Sequence, residues 1–190
     1  MTDFLKGVNL YLIGMMGSGK TTVGKLLATR LGYRFFDTDA LVERVLARTV
    51  GQPVSIAEFF AEHGEAAFRQ WEHCVLSEVA AETRSVIATG GGIVLERENW
   101  GFLHHGVTMW LDVPVEQLYQ RLQADTHRPL LKTNDPIATL RSLSEQRRSL
   151  YAQADVRVAC LPNEPPEETA ERAMVQIQKA LKPDATIDLN

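Results

Sequence analysis

The residues with the clearest chemical potential lie in the loop GMMGSGKTT, from Gly14 to Thr22. The loop fits the pattern G-x-x-x-x-G-K-[ST], and a chance match in a chain of this length has a probability on the order of one per cent. Glycines let successive backbone N–H groups point at phosphate oxygens, while a lysine and a hydroxyl reach the terminal phosphates and Mg²⁺. The pattern therefore predicts a nucleoside triphosphate site. The residues expected to contact the nucleotide are Gly14, Met15, Met16, Gly17, Ser18, Gly19, Lys20, Thr21 and Thr22.

Polar groups also follow two predicted strands, as DTD at 37–39 and TGGG at 89–92. In open α/β sheets, ligands bind at the carboxyl ends of the strands, so both stretches should face the glycine loop. Two carboxylates there could divide the work, one near Mg²⁺ through water and the other orienting an acceptor hydroxyl. The alternative for such a pair is helix capping, and Asp39 could do both. The glycine triplet indicates close approach of backbone to a ligand, but alone it is a weak signal.

Four arginines complete the set of candidates: Arg69, Arg128, and the adjacent Arg147 and Arg148. An isolated arginine is usually a solvated surface charge. If several converge, however, their planar guanidinium groups suit a carboxylate or a phosphate. The sequence alone does not show whether they converge.

Hydrophobic periodicity predicts the elements that must position these groups. Short apolar runs alternate with longer segments of helical period, a pattern typical of a parallel sheet covered by helices. The predicted helices include Lys20–Leu31, a helix opened by the capping box SIAE at 55–58, and Glu65–Glu82. The predicted strands are Asn9–Ile13, Arg34–Asp37, Ser85–Thr89, Val107–Asp112 and Asp155–Leu161.

Composition limits the class of protein. The chain has 190 residues, which suits a single domain over 1–190, and its net charge of -4 argues against nonspecific binding to nucleic acid or membrane.

We expect Cys74 and Cys160 to be buried free thiols in a reducing compartment. The N-terminus lacks the pattern of a signal peptide, and the histidines lack zinc-ligand spacing. We therefore expect a cytoplasmic protein that is metal-free, apart from any ion carried in by a substrate.

Two segments depart from the helix-and-strand pattern. The polar stretch at about 123–136 contains two prolines and lies between predicted helices, which is typical of an exposed loop that serves as a lid. The C-terminal tail, 182–190, is expected to be loose. Since no long exposed apolar stripe is left once the sheet is covered, a monomer is the simplest expectation.

Taken together, these motifs resemble those of the shikimate kinase family from about Leu10 to Lys179. The resemblance rests on five ordered motifs: GMMGSGKTTVGKLLA, FFDTD, SIAEFFAEHGEAAFRQWE, ATGGG and RPLL, followed by R-x-x-x-Y at 147–151. It implies a three-layer α/β fold of the P-loop, nucleoside-monophosphate-kinase-like type, with a five-stranded parallel sheet, a substrate-binding helical region at about 39–72, and a mobile lid. It also implies ATP as co-substrate, shikimate as acceptor, and Mg²⁺ as cofactor.

The resemblance also assigns roles to single residues. By analogy, Lys20, Asp39 and Arg128 are catalytic. Thr21 and Asp37 serve Mg²⁺, the latter through water. The acceptor is bound by Asp39, Arg69, Gly91, Gly92 and Arg147, which leaves Arg148 on the surface. Arg128 closes over the transferring phosphoryl group, and Arg121 packs on adenine with Pro165 or Pro166 on its other face.

Other functions are less well supported. The GTPase patterns N-K-x-D and D-x-x-G do not occur in the chain. A related small-molecule kinase, such as one for gluconate, would use a similar loop but not the FR and R-x-x-x-Y arginines with the glycine triplet. A non-catalytic relative that binds ligands or partners would usually have lost some of the matched residues, and here all of them are present.

Overall fold

The computed structural model describes residues 4–123 and 135–181. Its described residues form one five-stranded parallel sheet, as the hydrophobic pattern predicts. The strands are β1 (Leu10–Ile13), β2 (Arg34–Asp37), β3 (Ser85–Ala88), β4 (Val107–Asp112) and β5 (Val156–Ala159). Each of them begins and ends within two residues of its predicted bounds. Their order across the sheet, which the sequence did not predict, is β2-β3-β1-β4-β5.

Helices cover the sheet and connect its strands, which is the arrangement that parallel pairing requires. A 3₁₀ turn at Ile93–Leu95 follows β3. The helices are α1 (Lys20–Leu31), α2 (Thr38–Val50), α3 (Ile56–Ala80), α4 (Arg97–Leu103), α5 (Val115–Leu122), α6 (Pro136–Tyr151) and α7 (Pro166–Leu181).

The strand order places the carboxyl end of β1 at the switch point of the sheet, because the connection from β1 leads to one side and β4 lies on the other. Ligands of doubly wound sheets bind at such a point. All four residues of β1 and of β3 are buried, so the core holds the carboxyl ends of these strands rigidly. The loops that follow them are the glycine loop and the TGGG stretch.

Helix α3 joins two predicted helices into one element with a kink. Ser55 caps its start as predicted, since the Ser55 hydroxyl accepts from the N–H of Glu58 at 3.2 Å and the Glu58 carboxylate accepts from the N–H of Ser55 at 2.9 Å. The kink lies at Gly64, where φ is 79° and ψ is 175°. Helices α2 and α3 share a small core of their own, made of Val42, Leu46, Phe59, Phe68 and Val75.

One expectation about the core is wrong. Cys160 is a buried free thiol, but Cys74 is exposed. The reason is the helical period, since the next two residues of α3, Val75 and Leu76, point into the core and turn Cys74 toward solvent. Within the described residues, no helix is long and apolar enough to cross a membrane. Most of the predicted lid (124–134) and the tail (182–190) lie outside those residues.

Candidate active site

The glycine loop connects β1 to α1 and is held in place by close packing. Gly17 has φ of +74°, a conformation that residues with a side chain rarely adopt, and a Cβ there would lie 2.9 Å from Cγ of Leu122. Both the backbone angle and the lack of space therefore favour glycine at this position. The loop ends at Gly19, where α1 begins and presents its N-terminal amide groups.

Lys20 is buried beneath the loop. Its Nζ donates to the carbonyl oxygens of Gly14 and Met15, both at 2.8 Å, and lies 3.4 Å from the Ser18 hydroxyl. These contacts hold the ammonium group on the inside of the loop, where the phosphates of a nucleotide would lie. The predicted contact of Lys20 with the terminal phosphates of a nucleotide stays a prediction.

Thr21 and Asp37 come together from α1 and β2. The Thr21 hydroxyl donates to Oδ2 of Asp37 at 2.7 Å, and both groups line the same cleft. The other Asp37 oxygen, Oδ1, accepts from the backbone N–H groups of Asp39 and Ala40, so Asp37 is the N-cap of α2. Asp39 does not cap the helix as the sequence had suggested it could, because it lies in the first turn. A hydroxyl and a carboxylate side by side are oxygen donors of the kind that Mg²⁺ prefers.

A second cleft, of about 330 Å³, lies between the TGGG stretch and helices α2 and α3. It brings together the acidic pair, two of the four candidate arginines and the glycine triplet. Arg148, in contrast, lies on the surface over the ring of Trp110. The residues that line this acceptor cleft are Met16, Asp37, Asp39, Ala40, Glu43, Ser55, Ile56, Ala57, Phe60, Phe68, Arg69, Glu72, Gly90, Gly91, Gly92 and Arg147.

Arg69 is held between two carboxylates of its own helix. Its Nη1 donates to Oε2 of Glu72 at 2.5 Å, and its Nη2 donates to Oε1 of Glu65 at 2.8 Å. The Arg69 side chain is 10% exposed and that of Glu72 only 1%. Burial raises the pKa of Glu72, against the opposing pull of the Arg69 guanidinium. The carboxyl groups of Glu72 and Asp39 both lie against Gly90, so two acidic groups and the Arg69 guanidinium meet at this end of the cleft.

The glycine triplet is fixed by side chains from two elements. The Gly91 carbonyl accepts from Nη1 of Arg147 at 3.1 Å and from the hydroxyl of Tyr151 at 2.6 Å, both on α6. The Thr38 hydroxyl accepts from the N–H of Gly90 at 3.0 Å. Burial raises the pKa of Tyr151 to about 12, which keeps the hydroxyl that donates to Gly91 protonated well above neutral pH.

Gly92 shows why this stretch needs glycine. A Cβ built at Gly92 would run into the Arg69 guanidinium, with Nη1 and Nη2 both too close for any side chain. The absence of a side chain at this position therefore lets the Arg69 guanidinium, which Glu65 and Glu72 hold in place, lie directly against the backbone of Gly92. Glycine at this position therefore serves the close approach of the backbone to a charged group and not only a tight turn.

The nucleotide cleft, of about 750 Å³, continues from the glycine loop to α5 and the start of α7. Arg121 lines it, and its Nη1 donates to the carbonyls of Gly17 at 3.3 Å and Ser18 at 3.2 Å. Pro165 and Pro166 line the same cleft, and the contact of Arg121 and a proline with adenine stays a prediction. Arg128 lies outside the described residues.

Three residues of the site were given no role from the sequence. Glu72 lies three residues after Arg69, a spacing that places the two on one face of a helix and signals an ion pair. Tyr151 was part of the R-x-x-x-Y motif, and the spacing of four residues explains why it and Arg147 reach the same carbonyl. Thr38, which holds the amide of Gly90, carried no signal of its own, since a threonine between two aspartates has no distinctive pattern.

Comparison with known proteins places this geometry in a family. A family model described as shikimate kinase matches residues 16–178. Shikimate kinase of Nostoc sp. is 55% identical over 186 residues, which are 98% of this chain and 99% of that protein. Shikimate kinase of Synechococcus elongatus is 53% identical over 95% of this chain and 92% of that protein.

Solved structures agree with this assignment. Shikimate kinase from Acinetobacter baumannii, in complex with shikimate, has a TM-score of 0.82 and 36% identity, over 93% of this chain and 96% of that chain. Shikimate kinase from Aquifex aeolicus has a TM-score of 0.74 and the same identity, over 90% and 96%. A gluconokinase from Sinorhizobium meliloti shares the fold alone, at 18% identity and a TM-score of 0.54. With its motifs, its fold and its relatives in agreement, the chain belongs to the shikimate kinase family.

Proposed function

We propose that this protein transfers the γ-phosphoryl group of ATP to the 3-hydroxyl of shikimate, giving shikimate 3-phosphate and ADP. The observation that supports this most strongly is that the two clefts meet. Met16, Asp37, Asp39 and Gly91 line both the nucleotide cleft and the acceptor cleft. A phosphoryl donor in one and a hydroxyl in the other would therefore face each other across these residues, with no covalent intermediate needed.

On the nucleotide side, the backbone amides of the glycine loop and α1 would bind the phosphates. Lys20 would exchange its loop carbonyl partners for phosphate oxygens, which is favoured because its ammonium already lies under the loop. Thr21 and, through water, Asp37 would hold Mg²⁺, which neutralises charge on the phosphates when it is bound. Arg121 and Pro165 would contact the adenine.

On the acceptor side, Arg69 and Arg147 would bind the carboxylate, with backbone contacts from Gly91 and Gly92. Both arginines are buried in the cleft wall, where a charge-assisted hydrogen bond is stronger than at the surface. Asp39 would accept a hydrogen bond from the reacting hydroxyl and orient it for in-line attack. Arg128 would stabilise the transferring group when a lid around 123–136 closes and excludes water. We expect the protein to act as a monomer.

The proposal is tested by measuring ADP release, coupled to NADH oxidation, with ATP and Mg²⁺ and three acceptor conditions. Release should depend on shikimate and remain at background with gluconate or with no acceptor. Turnover with gluconate would instead identify a related sugar-acid kinase, and equal release in all three conditions would identify an ATPase. No release in any condition, from protein that binds ATP, would favour a binding module.

A further inference from the structure

Resting on this proposed function, we propose that Glu65 is a displaceable internal substitute for the acceptor's carboxylate on Arg69. In the structure, Glu65 occupies Nη2 of Arg69 while Glu72 occupies Nη1. Arg69 also lines the acceptor cleft, as Arg147 does. An acceptor carboxylate that binds Arg69 must therefore compete with a carboxylate of the protein itself.

The hydrogen bonds of Arg69 indicate which carboxylate gives way. Nε of Arg69 is buried and has no hydrogen-bond partner. Nε and Nη2 lie on the same edge of the guanidinium, and a carboxylate on this edge can accept from both at once. Glu65 uses only the Nη2 half of the edge. An incoming carboxylate that takes both donors would satisfy the buried Nε, so it gains a hydrogen bond that Glu65 does not make.

Burial distinguishes the two partners of Arg69. The Glu65 side chain is 51% exposed, whereas that of Glu72 is 1% exposed. When Glu65 is displaced, its carboxylate can be hydrated at little cost. Displacing Glu72 would instead leave an unpaired charge in the protein interior, which is strongly unfavourable. Glu72 therefore stays as the fixed partner that orients Arg69, and Glu65 is the one that leaves.

The position of Glu65 in its helix agrees with this role. It is the first residue after the kink at Gly64, where a Cβ would meet nothing within 4 Å, so the glycine serves the backbone turn rather than close packing. The turn begins a new helical segment at Glu65, four residues before Arg69, and this spacing brings the two side chains together. A neutral polyol would lack the charge needed to replace Glu65, so the pair selects for acceptors that carry a carboxylate.

The test compares Glu65→Gln with Glu62→Gln. The first variant keeps the size of the side chain and removes the competing charge. The second removes a charge from the same helix just before the kink, where Glu62 is 76% exposed and lies beside His63, whereas Arg69 pairs with Glu65 and Glu72. We expect Glu65→Gln to lower KM for shikimate about two- to fivefold, the range of a partly exposed ion pair. Its KM for ATP should match that of Glu62→Gln and of the unmodified protein.

A second measurement gives the same quantity without turnover. The dissociation constant of shikimate, measured by isothermal titration calorimetry, should fall by the same factor in Glu65→Gln. An unchanged or raised KM and dissociation constant in this variant would overturn the inference, because Glu65 would then not compete with the acceptor. If the unmodified protein neither binds nor phosphorylates shikimate, the proposed function fails first, and the two failures are thereby distinguished.

Discussion

Asp39 lies where the two clefts meet, in the first turn of α2. Among the described residues, Asp37, the N-cap of the same helix, is the one other carboxylate that lines both clefts. Asp37 binds Thr21 and caps the start of α2, which suits the role proposed for it beside Mg²⁺. Asp39, in the first turn of the same helix, is the residue proposed to orient the acceptor hydroxyl. At the scale of single residues, the proposed function therefore needs Asp39 to orient the acceptor hydroxyl for phosphoryl transfer. It needs Arg69 and Arg147 to bind the acceptor carboxylate.

Replacing Asp39 with Asn tests the first of these roles. The variant keeps the shape of the side chain but loses the charge that accepts the hydroxyl proton, so we expect kcat to fall about 10²- to 10⁴-fold. The dissociation constant of ATP, measured by calorimetry, should remain unchanged. An Asp39→Asn enzyme with near-normal kcat would remove Asp39 from the chemistry.

Arg147 and Arg148 offer a matched pair for the second role. They are adjacent in α6, but Arg147 is buried at the acceptor cleft and Arg148 is exposed over Trp110. Arg147→Lys loses the planar fork, and we expect KM for shikimate to rise about 10- to 100-fold, the value of a hydrogen bond to a charged group. Arg148→Lys should leave KM unchanged in the same steady-state assay. Equal effects of both variants would contradict the assignment.

At the scale of elements, the site is made by the ends of three strands and the starts of the helices that follow. This much follows from the hydrophobic pattern, because α1 has its predicted bounds and β2 ends at Asp37 as expected. The contact between Gly92 and the Arg69 guanidinium could not be predicted from the sequence. It joins the loop after β3 to helix α3, and it depends on how these two elements pack together. Likewise, the exposure of Cys74 follows from the exact rotation of α3.

Gly92 is therefore the position that tests how these elements fit. Gly92→Ala would place a methyl group against the Arg69 guanidinium, so we expect a raised KM for shikimate, by about tenfold or more, with KM for ATP little changed. Gly101→Ala in α4 is the control, because a Cβ there meets nothing within 4 Å. If Gly92→Ala binds shikimate as well as Gly101→Ala does, the close approach of Gly92 and Arg69 is not needed for the site.

At the scale of the whole molecule, the edge of the nucleotide cleft is tied to the last helix by charge. Glu164 pairs with Arg172, accepts from the Thr169 hydroxyl at 2.9 Å, and accepts from the N–H of Leu161 at 3.2 Å. Arg172 also donates to the Ala159 carbonyl at 2.7 Å, at the end of β5. These contacts connect β5, the turn that carries Pro165, and α7, which in turn packs on α1.

The Glu164 network should make part of the stability depend on pH. Its hydrogen bonds, mainly from Arg172, lower the pKa of Glu164 from 4.5 to about 2. A carboxylate with a lowered folded-state pKa stabilises the fold above about pH 4.5, and that contribution is lost as pH falls toward 2. The difference in free energy of unfolding between the unmodified protein and Glu164→Gln, measured in urea, should therefore be largest near pH 7 and shrink between pH 4.5 and 2. A difference that stays constant over this range would contradict the role of the charge.

The central claim, that a phosphoryl group passes from ATP to shikimate, is tested most directly by following the phosphorus itself. A ³¹P NMR time course with ATP, Mg²⁺, shikimate and the unmodified protein should show the γ-phosphate signal replaced by that of a phosphate monoester, in amounts equal to the ADP formed. Inorganic phosphate in place of the monoester would contradict the account, because the protein would then hydrolyse ATP without transferring its phosphoryl group to the acceptor.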